Sequence, residues 1–346
     1  MPDGDFPNRT LRSVADLARA GLVHESAALR EVAGRYAIAV PPALRALIET
    51  SGDPIGRQIL PHEAELLGAP HETSDPIGDD ALSPVKGVVH RYADRVLIKP
   101  LLICPVYCRF CFRRERVGPD GGLLTDAELA AALDYVRQRP AIREVILPGG
   151  DPLMLSPRRL LALLSELEQV PHVETLRIHT RVPVADPRLI TPDLISAMTT
   201  EKPLFLAVHA NHAREFAPAA NAALRRLSRA GIPLLGQSVL LRGVNDSEAA
   251  LEDLFRAMLR ARIKPYYLHQ MDAAPGTSRF HVPIAEGRAL LEGLRGRVTG
   301  LAWPTYVLDI PAGHGKVPIG PDYLDAGQVR DPAGTWHTLA QQPPEG

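Results

Sequence analysis

Hydrophobic residues change their spacing near residue 88 of the chain. From there on, short apolar runs alternate with longer segments in which apolar residues recur about every three or four positions, the pattern of strands followed by amphipathic helices. The predicted strands are 96–103, 144–147, 175–179, 204–209, 234–241 and 265–269. Because strands that alternate with helices build parallel sheets, we predict an α/β protein with a partial (β/α)6 barrel of the TIM type.

Several predicted helices carry start signals. Thr125 and Glu128 form a capping box. Ser156 and Thr191 each precede a proline, as an N-cap residue does when proline occupies the first helical position. In barrels of this type the functional residues lie at the carboxyl ends of the strands, so chemistry is expected at that edge of the sheet.

The pattern divides the chain into three regions. Residues 1–86 contain short helices followed by an irregular connector rich in Pro, Asp and Gly, and residues 87–300 form the barrel. Residues 301–346 form a C-terminal segment, which begins with a strand and a Gly/Pro-rich loop over 303–325. The last twenty residues are predicted to be a poorly ordered tail.

Composition and charge exclude several classes of protein. The 346 residues carry a formal net charge of −1, so no general attraction to nucleic acid or to anionic membranes is expected. No apolar run reaches the roughly 18 residues of a membrane helix, and the N-terminus lacks the parts of a secretory signal. All three cysteines lie in one short motif, which leaves no disulfide framework. A cytoplasmic protein is therefore predicted.

The cysteines Cys104, Cys108 and Cys111 follow the first predicted strand with the spacing CxxxCxxC. Cysteine is the usual ligand of iron–sulfur clusters, and three thiolates can hold three irons of a cubane [4Fe–4S] cluster while the fourth iron stays open. A zinc site or incidental thiols are the alternative. Structural zinc takes four ligands in paired groups, and the chain has no second cysteine group. The spacing therefore favours the cluster.

Glycines mark a second candidate site. Gly149, Gly150 and Asp151 end the second predicted strand, where glycines let a ligand approach the backbone closely, although this sequence is also typical of a turn. Lys316 lies in a glycine-rich loop that suits Schiff-base chemistry with pyridoxal phosphate (PLP), although a solvated lysine fits that loop too.

Together these motifs resemble those of a known family. The cysteine spacing resembles the signature of radical S-adenosylmethionine (SAM) enzymes, and the chain from about residue 80 to 325 is similar to the lysine 2,3-aminomutase family, which combines SAM with PLP. The resemblance implies that the three cysteines hold a [4Fe–4S] cluster whose open iron binds SAM. It further implies that Gly149, Gly150 and Asp151 contact SAM, with a simple turn as the alternative. It implies the same for His209 and Gln237, with hydrogen bonding inside the barrel as the alternative.

The resemblance also implies a PLP site. Lys316 is similar to the family's PLP-binding lysine. Arg91, Tyr92 and Arg95 are similar to the residues that cradle the PLP phosphate, a role to which arginine is well suited. Surface salt bridges are the alternative role for the two arginines.

The implied substrate is a free amino acid. Arg113, two residues after the last cysteine, is similar to the arginine that binds the substrate carboxylate. Asp272 and Asp309 are similar to the carboxylates that hold the distant ammonium group of lysine, and a buried ammonium does need compensating charge. The predicted function is thus a radical SAM, PLP-dependent 2,3-aminomutase, an isomerase that interconverts L-lysine and β-lysine.

Some features leave alternatives open. The short chain also resembles the branch that makes β-lysine for elongation factor P, and another amino acid such as arginine, or an inactive paralogue, would fit as well. Ser247 stands where long family members have a zinc-binding cysteine, so no structural zinc is expected, and a homo-oligomer is left open. A flavodoxin- or ferredoxin-type reductant is expected. Some residues of a basic run are predicted to form the rim on which it docks: Arg109, Arg113, Arg114 and Arg116. The alternative is that this run is simply a solvated face.

Overall fold

A computed structural model describes residues 8–325 and 327–338 of the chain. One sheet contains nine strands in sequence order. They are β1 Val88–Tyr92, β2 Arg95–Ile98, β3 Glu144–Leu147, β4 Thr175–Thr180, β5 Leu204–His209, β6 Leu234–Val239, β7 Ile263–His269, β8 Thr305–Ile310 and β9 Gly315–Pro318. Strands β2 to β8 are parallel, and β1 and β9 pair antiparallel at the two ends. The sheet curls into a nearly closed barrel, which confirms the predicted fold.

Helices cover the outside of this sheet. The N-terminal helices are α1 Val14–Arg19, α2 Ala27–Arg35, α3 Pro42–Arg45 and α4 Pro54–Ile59. The barrel helices are α5 Asp126–Arg137, α6 Pro157–Glu168, α7 Val182–Ala185, α8 Pro192–Ala197, α9 Pro218–Arg229, α10 Glu248–Arg260 and α11 Ile284–Leu294. The Thr125 capping box and the Ser156 and Thr191 N-caps form as predicted. Within the described ranges, no helix is long and apolar enough to cross a bilayer.

The largest differences from the prediction lie at two boundaries. The first strand ends at Ile98 rather than at 103, because Pro100 has no N–H for a ladder and the next residues bond to loops. The repeating pattern does not stop at 300: β8 continues the parallel sheet, with Thr305 beside Tyr267 of β7. The edge strand β9 then carries Lys316 back along β8.

Part of the predicted tail is folded. Strands β10 Leu324–Asp325, β11 Gln328–Arg330 and β12 Trp336–Thr338 form a small antiparallel sheet. Its last turn is closed by Asp331, whose carboxylate accepts hydrogen bonds from the backbone N–H groups of Ala333 and Thr335. The remainder of the predicted tail, 339–346, lies outside the described residues.

Successive side chains along each strand point alternately outward, to the hydrophobic core under the helices, and inward, to the space enclosed by the barrel. On β4, Leu176 and Ile178 are fully buried under the helices, whereas Arg177 and His179 line the space inside the barrel. The outward positions form the main hydrophobic core. Polar and charged side chains thus project into the barrel, as expected for a cavity that binds polar ligands.

Candidate functional site

A cavity of about 710 Å³ occupies the inside of the barrel at the carboxyl ends of the strands. We refer to it as the central cavity. Every site residue proposed from the sequence contributes to its wall, although these residues come from six strands and several loops: Cys104, Cys108, Cys111, Gly149, Gly150, Asp151, His209, Gln237, Arg91, Tyr92, Arg95, Arg113, Asp272, Asp309 and Lys316. The candidate residues therefore share one cavity.

The two glycines after β3 fit against the segment that leads into the cysteine loop. A Cβ at Gly149 would lie 2.7 Å from the carbonyl oxygen of Leu101, and one at Gly150 would lie 2.3 Å from that of Ile103. The N–H of Gly150 donates to the Leu101 carbonyl at 2.8 Å. The sequence argument explained these glycines by the approach of a ligand, but the backbone that comes close is the protein's own.

Replacing Gly150 with alanine should therefore displace the cysteine loop. The new methyl group would overlap backbone atoms that cannot rotate away, and overpacking of this kind costs about 1–3 kcal/mol or more. We expect a lower melting temperature and less than half of the wild-type iron content after anaerobic reconstitution. Gly34→Ala is the matched control, because Gly34 lies in α2 with no heavy atom within 4 Å of its added Cβ. Normal iron content in Gly150→Ala would contradict this account of the loop.

The three thiols share one partly buried wall of the central cavity. Burial, and next the charge of Cys108, raise the pKa of Cys111 to about 11. Burial, followed by the charge of Cys111, likewise raises the pKa of Cys104. Thiolates crowded in this way are stabilised by bound iron, since a coordinated thiol is deprotonated. The donor set and its surroundings fit a [4Fe–4S] cluster.

Asp151 supports this wall from inside the protein. Its buried carboxylate accepts hydrogen bonds from the Thr180 hydroxyl at 2.7 Å and from the N–H groups of Arg181, Val182 and Leu153. Burial nevertheless raises its pKa to about 6. Its oxygens accept hydrogen bonds from protein donors, so the side chain fixes the loops after β3 and β4. A ligand would therefore contact the neighbouring backbone rather than this carboxylate.

Sequence reasoning missed Arg181, which lies beside the cysteines. It follows β4, and its guanidinium contacts the Sγ of Cys108 and pairs with the buried carboxylate of Glu215 at 2.8 Å. The signal was available, because the residue lies at the carboxyl end of a predicted strand.

His209 and Gln237 occupy neighbouring strands of the cavity wall. Burial lowers the pKa of His209 to about 3, and its Nε2 is buried without a hydrogen-bond partner among the described residues. The Gln237 amide contacts Nε2 of His269 at 2.9 Å. His209 therefore has a neutral ring with one nitrogen free for a ligand.

Lys316 lies directly opposite Asp309 where β9 pairs with β8. Its Nζ donates to the Asp309 carboxylate and lies 3.2 Å from Nδ1 of His269. Although burial acts in the opposite direction, the nearby His269 ring and the charge of Lys316 hold the pKa of Asp309 well below its usual range. The loop lysine is therefore positioned by the protein, and is not a solvated surface residue.

The hairpin of β1 and β2 brings Arg91, Tyr92 and Arg95 to the same region of the cavity. The Tyr92 hydroxyl accepts a hydrogen bond from the Lys316 N–H at 2.7 Å, and the Arg95 guanidinium stacks 3.7 Å from the Tyr92 ring centroid. Arg91 pairs with Asp309 at 3.2 Å. The Nε atoms of Arg91 and of Arg177 on β4 are buried and lack hydrogen-bond partners among the described residues. Such donors fit a bound anion.

Asp79 joins the connector before the barrel to Arg113 in the cavity wall, and no pattern in the sequence indicated this contact. Its buried carboxylate accepts from Nε and Nη2 of Arg113 at 3.0 and 2.7 Å, and from Lys99 at 3.4 Å. The adjacent Gly78 packs so closely on the lysine loop that a Cβ would lie 2.7 Å from the backbone of Ala312. The connector therefore orients the Arg113 guanidinium.

Asp272, after β7, differs from the other carboxylates of the cavity. No described residue donates a hydrogen bond to its side chain, and its surroundings are buried. Burial first, and the negative charge of Asp309 second, raise its pKa to about 7. A carboxylate in this situation is stabilised by a bound cation.

The predicted basic docking rim is wrong for two of its arginines. Arg109 and Arg114 are only 1% and 4% exposed, and both pair with the buried carboxylate of Glu65 from the N-terminal region. Arg113 is committed to Asp79, and Arg116 pairs with Asp80. The pairs of Arg109, Arg113 and Arg114 lie inside the protein and that of Arg116 at its surface, and all of them attach the cysteine loop to the connector.

Comparison with known proteins agrees with this geometry. Residues 98–255 match the family model of the radical SAM superfamily, and residues 291–330 match a model described as lysine-2,3-aminomutase. The chain is 40% identical over 83% of its length to L-lysine 2,3-aminomutase of Acetoanaerobium sticklandii, covering 70% of that protein. It is 39% identical to the enzyme of the same name from Clostridium subterminale, with the same coverage of both chains. It is 34% identical, over 86% of its length and 70% of the relative, to glutamate 2,3-aminomutase of Clostridioides difficile.

Proposed function

Because the chain belongs to the lysine 2,3-aminomutase family of radical SAM enzymes, we propose that it moves the amino group of free L-lysine from Cα to Cβ, with SAM at the cysteine-bound cluster and PLP at Lys316. The observation that carries this proposal is the convergence of one arginine, two carboxylates, three thiols and a partly buried lysine on a single cavity. The family makes the protein an isomerase and implies a [4Fe–4S] cluster and SAM. The PLP site and the choice of lysine are the proposal.

The cluster would be held by Cys104, Cys108 and Cys111. When bound, the cluster and SAM supply a one-electron cleavage that starts hydrogen abstraction from the substrate. The residues of the protein position this chemistry: the Gly149–Gly150 backbone fixes the cysteine loop, and the neutral His209 offers its free Nε2 to a ligand. We propose a flavodoxin- or ferredoxin-type donor for the electron.

PLP would be held by Lys316 and the hairpin of β1 and β2. When bound, PLP supplies a conjugated π-system that delocalises the unpaired electron during migration. The unpartnered Nε atoms of Arg91 and Arg177 support binding of the phosphate dianion. Tyr92 also supports the PLP site, since its hydroxyl accepts a hydrogen bond from the Lys316 N–H and so holds that backbone in place.

The charges in the cavity favour a dibasic amino acid. Arg113, oriented by Asp79, would bind the α-carboxylate. Asp272 and Asp309 would hold the ε-ammonium group. Two carboxylates would repel the side-chain carboxylate of glutamate, the substrate that the name of one relative specifies. We therefore propose lysine rather than glutamate.

The direct test is conversion of the amino acid. Reduced protein, reconstituted anaerobically with iron, sulfide and PLP, would be incubated with SAM and, in parallel, L-lysine, L-arginine or L-glutamate. We expect β-lysine, identified by chromatography with mass spectrometry. A β-amino acid from glutamate or arginine alone would overturn the substrate assignment. Cleavage of SAM with no amino-acid product would overturn the aminomutase proposal.

A further inference from the structure

His269 contacts the Nζ of Lys316, and the proposed function so far gives it no task. It ends β7, and its Nδ1 lies 3.2 Å from Nζ of Lys316 and 3.6 Å from the Asp309 carboxylate. Its other ring nitrogen meets the Gln237 amide at 2.9 Å. The ring therefore bridges the lysine and a residue of the neighbouring strand β6.

The position of Lys316 creates a proton problem. Covalent attachment of PLP needs the neutral amine, because a protonated Nζ has no lone pair with which to attack a carbonyl. An unperturbed lysine has a pKa of roughly 10.4, so only about one in 2,500 is neutral at pH 7. Nζ donates to the Asp309 carboxylate as an ammonium group does in an ion pair. A group beside Nζ that accepts the proton would therefore speed the attachment.

Two side chains are hydrogen-bonded to Nζ among the described residues. Asp309 is a poor acceptor of a proton, because its pKa is held well below the usual range. His269 is neutral, since burial and next the charge of Lys316 lower its pKa. The second of these causes disappears when the proton itself leaves Lys316.

We propose that His269 is the catalytic base that takes the proton from Nζ of Lys316 and returns it when the lysine is released. In this step an N–H bond of the ammonium breaks and an N–H bond forms at Nδ1 of the imidazole. The positive charge stays within the pair, beside the same Asp309 carboxylate. The proposal rests on the proposed function, because it presupposes that PLP binds at Lys316.

Gln237 is suited to support this exchange. An amide can present either its oxygen or its NH₂ group, so it can accept from Nε2–H while Nδ1 is free to take a proton. The other ionisable groups that face this pair are Asp309, Asp272, His179 and His209, together with the ring of Tyr267, whose centroid lies 5.6 Å from that of His269.

The experiment measures the rate of PLP attachment, and needs neither SAM nor substrate. Cluster-loaded, PLP-free protein would be mixed rapidly with PLP, and the absorbance of lysine-bound PLP followed with time between pH 7 and 9. Borohydride reduction and peptide mapping would locate the attached group. For His269→Ala we expect an approximately 10²-fold slower attachment at pH 7, a steeper increase with pH than in the wild type, and partial recovery on addition of imidazole. His172→Asn, which removes a half-buried histidine outside the central cavity, is the control.

Each result has a distinct meaning. Attachment to Lys316 at the wild-type rate in His269→Ala would overturn the proposal and leave the proposed function intact. Weaker PLP affinity, with an unchanged rate and no effect of imidazole, would also overturn it, because a purely structural role predicts that result. Failure of the wild-type protein to attach PLP at Lys316 would overturn the proposed function first, and this inference with it.

Discussion

Replacing Lys316 with arginine should abolish covalent PLP binding and reduce β-lysine formation by at least about 10³-fold. Arginine keeps the positive charge, so the ion pair with Asp309 can persist and the cavity should keep its shape. The guanidinium is always protonated and is not a nucleophile. Iron content, PLP fixed by borohydride and β-lysine formation would be measured on the same preparation.

Lys202→Arg is the matched control for this substitution. Lys202 is also partly buried, but it donates to the carbonyls of Leu167 and Val170 away from the central cavity. The control should retain PLP and activity. If Lys316→Arg kept full turnover, PLP would have to bind elsewhere, and the assignment of the lysine loop would be wrong. Loss of iron in the same variant would instead show that the substitution disturbed the whole cavity.

Much of the fold followed from the spacing of apolar residues. The six predicted strands all exist, because each buries one face under helices whose own apolar stripes are regular. The candidate residues clustered for the same reason: parallel strands end at one edge, so residues that follow different strands meet there. Arg91, Tyr92 and Lys316 were exceptions, since they lie on the antiparallel strands at the two ends of the sheet.

What the sequence could not predict depends on pairing across long separations. Asp79 and Glu65 lie in an irregular connector with no periodicity, and only the folded chain brings them to Arg113 and to the pair Arg109 and Arg114. A run of arginines gives the same sequence pattern whether it is exposed or neutralised by buried carboxylates. Glycines, similarly, give no indication of whether a ligand or the backbone comes close.

Replacing Asp272 with asparagine should weaken the use of lysine and, at the same time, stabilise the protein above neutral pH. Removing one charge of a buried ion pair costs about 2–5 kcal/mol, so we expect kcat/KM for lysine to fall by 10²-fold or more. In the wild type, kcat/KM should rise with pH through about 7 as Asp272 ionises. The variant should lack that rise.

The stability effect follows from the same raised pKa. Unfolded aspartate has a pKa of roughly 3.9, whereas Asp272 in the folded protein titrates at about 7. The folded state therefore holds a proton that the unfolded state has lost, and the wild type loses stability as pH rises from about 4 to about 7. Asparagine carries no such proton, so the variant should gain about 2–4 kcal/mol relative to wild type over that range and keep the gain above pH 7.

Thermal unfolding at pH 5 and pH 8, without substrate, would measure this difference beside the kinetics. Asp193→Asn, an exposed residue in the first turn of α8, should change neither quantity. If Asp272→Asn lost activity on lysine but gained no stability at pH 8, the Asp272 charge would already be compensated in the free protein. Asp272 would then contact a cation of the protein itself. Unchanged kinetics together with the stability gain would mean that the buried carboxylate does not meet the substrate, and the preference for a dibasic amino acid would then rest on Asp309 alone.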